Sequence, residues 1–130
     1  MKYSLDHIHV RCSDVAASIT YYKKMFDAKE VARAGTKEMP ITILEMAGER
    51  FSFSPKRQEV TIRSQPGEPG WGIYQIGVKV ENLDASLAEL KERGAEISAG
   101  PLTVREGLRI FFVRGPGDGI HVGIDRGSLS

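Results

Sequence analysis

The chain has 130 residues, 41% hydrophobic and 27% charged, the make-up of a single globular domain rather than a disordered or fibrous segment. Lys and Arg number 18 against 17 Asp and Glu, a balance that leaves no electrostatic footprint for nucleic acid or an acidic membrane surface. Cys12 is the only cysteine, which excludes an internal disulfide and a cysteine-cluster metal site. No apolar run approaches the roughly 20 residues of a membrane span. The start passes directly into patterned sequence, so a cytoplasmic protein is expected.

The chain repeats itself. When it is slid so that His7 falls on Gln75, Leu5 to Cys12 lies on Ile73 to Val80, and Ala17-Ser18-Ile19 on Ala85-Ser86-Leu87. Each copy opens with a strand. In the first, Ile8, Val10 and Cys12 alternate with His7, His9 and Arg11; in the second, Ile76, Val78 and Val80 alternate with Gln75, Gly77 and Lys79. A period of two puts each set on its own face.

A helix follows each strand. Val15, Ile19, Tyr22 and Phe26 form one apolar stripe, and Leu83, Leu87 and Leu90 the other. Ser13 or Asp14 and Asn82 or Asp84 are the candidate N-caps. Gly94 is the candidate stop of the second helix, and the first ends near Asp27-Ala28. Three strand-like segments come next in each copy. In the first they are Glu30 to Arg33, Ile41 to Met46 and Arg50 to Ser54, the last two joined by Ala47-Gly48-Glu49. In the second they are Glu96 to Ser98, Leu108 to Arg114 and Ile120 to Asp125, the last two separated by the turn-rich Gly115 to Gly119. The predicted class is α+β, with two tandem β-α-β-β-β modules in one domain spanning 1–130. Module one covers 1–56, a Pro- and Gly-rich linker 57–70, and module two 71–130. Neither module alone buries enough for independent stability.

Asp6-His7-Ile8 with Ser13-Asp14, Tyr21-Tyr22 and Phe26, then Phe111 to Ile120, resemble the two halves of the vicinal oxygen chelate superfamily. That is the superfamily of glyoxalases, bleomycin-resistance proteins and extradiol dioxygenases. The resemblance covers nearly the whole chain. It implies an open, cup-shaped mixed sheet, a homodimer, and a divalent metal (Zn, Fe, Mn, Ni or Co) held by four strand positions. Those positions are His7, Ser52, Gln75 and Gly123 here. Members usually carry Glu at the last one, and Gly117 reads as an insertion in the turn before it. A shift of the last strand to absorb that insertion brings His121 toward the ligand position. The metal set implied is therefore His7, Gln75 and His121, with open coordination positions for substrate.

The three histidines, His7, His9 and His121, fall on what the alternation predicts to be the polar faces of their strands. Three readings stay open for that face: a metal site, a cavity for an organic ligand without metal, or a solvated surface. His9 and Glu45 are the candidate proton carriers. Ser52, Trp71 and Arg109 are the candidate substrate contacts. Cys12 shares the face of Ile8 and Val10 and is expected to be a buried small hydrophobe. The expected function is a metal-dependent lyase, isomerase or dioxygenase acting on a small oxygenated molecule. The alternative is a metal-free dimer that binds a drug or metabolite.

Overall fold

The computed structural model describes residues 2, 4–55, 75–116 and 120–125. The predicted linker and Trp71 lie outside the described residues. The chain divides into two compact units, Met1–Arg63 and Ser64–Ser130.

In the first unit, β1 (Ile8–Cys12) leads into α1 (Val15–Phe26), followed by β2 (Lys29–Gly35), β3 (Pro40–Met46) and β4 (Glu49–Pro55). The sheet order is β1-β4-β3-β2, with β1 parallel to β4 and the other pairs antiparallel. The β1–β4 pair is parallel because α1 intervenes and carries the chain back to the same end of the sheet. Asp14 caps α1, its carboxylate accepting from the Ala17 N–H at 3.0 Å. Asp27 closes it in the left-handed region, at φ 55°, a position open to Asn and Asp more than to most residues. Ala47 and Gly48, both with positive φ, make the two-residue turn between β3 and β4.

The helix-facing side of this sheet is fixed by contact. Phe53 meets Tyr22 of α1 with ring centroids 5.2 Å apart, and Leu44, Met46 and Phe51 are buried with it. The predicted helix stripe is rotated in the structure. Ser18, Tyr22 and Met25 are the fully buried positions of α1, while Val15, Ile19 and Phe26 flank them half-buried. Ser18 of α1 and Cys12 of β1 are both buried in this layer.

The second unit repeats the plan with β5 (Ile76–Lys79), α2 (Leu83–Glu92), β6 (Ile97–Arg105), β7 (Leu108–Arg114) and β8 (Ile120–Asp125). Its order is β5-β8-β7-β6, again with one parallel pair, β5 with β8. Asn82 caps α2 through the Ala85 N–H at 3.0 Å, and Leu83, Leu87 and Leu90 are its buried side. The α+β class and the two β-α-β-β-β units are as the sequence predicts.

Most strand boundaries lie within one or two residues of the sequence reading, and two differences bear on the argument. β1 begins at Ile8, so His7 lies immediately before it. β6 runs to Arg105, well past the predicted Ser98, and carries Pro101 within it. The proline is tolerated because β6 is an edge strand, where a missing N–H leaves no ladder bond unmade.

Candidate functional site

In the first unit, β4 alternates Phe51 and Phe53 with Ser52 and Ser54. The phenylalanines face α1, so the serines face the opposite side of the sheet. His9 lies level with Ser52 and Arg11 with Ser54. His9 Nε2 and Ser54 Oγ share a hydrogen bond of 2.7 Å. Ser54 is 0% exposed and Ser52 6%, whereas His9 remains open to solvent. Partial burial, then the neighbouring Arg11 and His7, lower the His9 pKa below the ordinary imidazole value. His9 is therefore neutral near pH 7, with Nε2 engaged by a buried hydroxyl. Whichever nitrogen carries the proton, the second is left for a ligand, as acceptor or donor according to tautomer. Ser54 is too buried to meet a substrate directly, and its hydroxyl orients the ring.

The neighbours of this pair are polar and basic. Arg11 donates from Nη1 to the Pro55 carbonyl at 3.0 Å and touches Met39 Sδ at 3.8 Å, which ties it to the end of β4. Glu45 is exposed on the same face, level with Arg50 on β4 and Lys29 on β2. β4 separates its strand from that of His9, so the two predicted proton carriers are not adjacent. His7 Nδ1 lies 2.7 Å from Asp6 Oδ2. The carboxylate can only accept, so Nδ1 is the donor of this contact, although the pair is exposed and correspondingly weak.

In the second unit the pairing separates residues that the sequence reading put together. β5 meets β8 with Ile76 level with His121 and Val78 level with Gly123. Across β7, His121 is level with Val113, Gly123 with Phe111 and Asp125 with Arg109. Arg109 makes a bidentate ion pair with Asp84 of α2, at 3.1 and 3.2 Å, which identifies this as the helix-facing side. His121 is 6% exposed there, beside Phe111 and Val113 at 1% each, and burial lowers its pKa. Gln75, immediately before Ile76, belongs to the opposite side by alternation. The expectation that His121 joins Gln75 is thus corrected: they occupy opposite faces of one sheet. Arg109, a predicted substrate contact, is engaged in holding α2 to the sheet. Cys12 is buried as expected, and burial raises its thiol pKa.

The positions implied for a divalent metal carry few donors. His7 and Gln75 are single donors, Ser52 is a short hydroxyl, and Gly123 has no side chain. Among the described residues, no group of three or more His, Cys, Asp or Glu could hold a metal ion. The residue set does not fit the metal.

Ser54 is the site residue the sequence reading missed. The Phe-Ser-Phe-Ser alternation on β4 was its signal, since it puts two hydroxyls on the face of His9.

The profile of the Glyoxalase/Bleomycin resistance protein/Dioxygenase superfamily matches residues 4–124. The chain belongs to that superfamily. Solved structures share its fold at low identity. A glyoxalase family protein from Enterococcus faecalis is 17% identical with a TM-score of 0.77, over 94% of this chain and 97% of that one. The genomically encoded fosfomycin resistance protein FosX from Listeria monocytogenes is 14% identical with a TM-score of 0.73, over 99% and 97%. A further FosX structure, complexed with Mn(II) and sulfate ion, is 15% identical with a TM-score of 0.69, over 99% and 96%. No curated protein matches this sequence. At these identities the likeness establishes the superfamily fold and leaves the reaction to the residues.

Proposed function

We propose that this chain is a proton-transfer enzyme, an isomerase or lyase, acting on a small oxygenated substrate at the His9 face of its first unit. One observation carries the reading: the hydrogen bond between His9 Nε2 and buried Ser54 Oγ. A neutral imidazole, fixed through one nitrogen and open at the other, is the arrangement a general base or acid needs. Ser52 supplies a hydroxyl level with His9 for a substrate oxygen. Glu45 and Arg50 border the face, where Arg50 suits a substrate carboxylate or other anionic group. The absence of acidic ligands at Ser52 and Gly123 favours a second reading, in which the same face binds a drug or metabolite without turning it over. The superfamily resemblance supports a homodimer, and the single buried, unpaired Cys12 suits a reducing compartment such as the cytoplasm.

The test is solvent deuterium wash-in, read by proton NMR, on a panel of small hydroxy, keto and diol compounds. The enzyme reading predicts exchange at carbon in at least one compound, lowered about 100-fold or more in His9→Ala. Exchange unchanged in His9→Ala overturns it. A compound that binds with no exchange at all supports the binding reading instead.

A further inference from the structure

We infer that the Phe111 ring of β7 fills the space beside Gly123, the superfamily's last metal-ligand position by sequence, so that this chain does not hold a divalent ion through the four-strand donor set. The inference rests on β5, β7 and β8 and is independent of the His9 reading.

The two units supply their helix-facing rings differently. In the first unit β1 and β4 are paired with Ile8 level with Phe51 and Val10 with Phe53. In the second, Ile76 and Val78 are level with His121 and Gly123. His121 therefore stands where the first unit has Phe51, and Gly123 where it has Phe53. The strand beside each reverses the exchange: Thr42 lies opposite Phe53, and Phe111 lies opposite Gly123. At this level of the sheet the ring under the helix comes from β4 in the first unit, where Phe51 adds a second ring two residues away, and from β7 in the second. A carbon added at Gly123 would lie 2.4 Å from Phe111 Cζ, a separation that side chains do not tolerate. Any residue with a Cβ at this position would require the Phe111 ring to shift.

The closure removes the ligand position in either alignment of the last strand. By sequence the position is Gly123, which has no side chain and lies on the helix side. By strand pairing the residue equivalent to Ser52 is Val122, level with Gly77, a residue type without a donor atom. His121 lies on the face opposite Gln75. Gln75 is thus left without a β8 partner for an ion.

The experiment uses the untagged full chain, purified without chelator. Metal content is measured by mass spectrometry, and Mn(II), Zn(II) and Ni(II) are each titrated calorimetrically against the chain and against His7→Ala and Gln75→Ala. The expected result is no stoichiometric ion, and no saturable binding that either substitution removes. Stoichiometric metal lost in both variants would overturn the inference. The ring exchange has its own readout. Gly123→Ala should lower the melting temperature. The double variant Phe111→Thr/Gly123→Phe, which rebuilds the Thr42/Phe53 arrangement, should melt higher than Gly123→Phe alone. A Gly123→Ala chain as stable as the parent contradicts the closure.

Discussion

At the residue scale, the three histidines of similar sequence context end in three different environments. His7 is exposed beside Asp6, His9 is open but fixed by Ser54, and His121 is buried against Phe111 and Val113. Each environment sets a different chemistry. Burial lowers the His121 pKa, so the folded state favours the neutral ring. Its contribution to stability is complete above the ordinary imidazole pKa and is lost as pH falls below it toward the folded-state value. Urea denaturation at about pH 7.5 and about pH 5 should therefore show a loss on acidification that is smaller in His121→Phe, the residue found at the equivalent position in the first unit. An identical pH dependence in the two proteins would show that His121 is not desolvated. Phe53 is 1% exposed and stacked near Tyr22. Its truncation to alanine should destabilise by about 3–5 kcal/mol, read from denaturant midpoints, if the cavity cannot collapse.

At the scale of elements, each helix starts at a side-chain cap, Asp14 for α1 and Asn82 for α2, and Asp84 of α2 is also paired with Arg109 of the sheet. Asp14→Ala leaves the Ala17 N–H of α1 without its side-chain acceptor and should reduce stability by about 1 kcal/mol, measured by urea unfolding. A loss no larger than that of a neighbouring exposed substitution would place the start of α1 elsewhere. Much of this level was legible in sequence. Local chemistry narrows the caps to Ser13 or Asp14 and Asn82 or Asp84, of which the structure uses Asp14 and Asn82, and it marks the β3–β4 connection at 47–49 and the period-two face of β1. The bounds of β8 followed as well, but its faces did not, for a physical reason. It lies between β5 and β7, and a central strand has neighbours on both sides. Ile120, Val122 and Ile124 read as an inward face, yet pairing puts His121 and Gly123 on the helix side because Phe111 supplies the ring there. Alternation within one strand cannot report a residue supplied by its neighbour. β6 extends past the predicted Ser98 because an edge strand accommodates Gly100 and Pro101. The site shows the same division. His9 was legible as a polar-face histidine, but its bond to Ser54 depends on the parallel register of β1 and β4, which brings together residues 45 positions apart.

At the scale of the whole molecule, the edge strand β6 exposes Leu102 and Val104, at 46% and 57%. An exposed apolar edge is a liability unless it is paired or covered, which supports the proposal that two copies associate. Light scattering across a wide concentration range should give a mass near twice the 14.3 kDa of one chain. Leu102→Lys should shift it toward the monomer if this edge is the contact. A monomeric mass at every concentration removes the proposal. The account as a whole turns on whether the His9 ring is held. Nitrogen NMR of the imidazole signals, in the parent chain and in Ser54→Ala at about pH 7, tests this without a known substrate. The account predicts a neutral His9 ring whose Nε2 signal reports a hydrogen bond that disappears in Ser54→Ala, with the His7 and His121 signals unchanged. Identical His9 signals in the two proteins would contradict it, since the ring would then have no fixed partner and the first unit no oriented proton carrier.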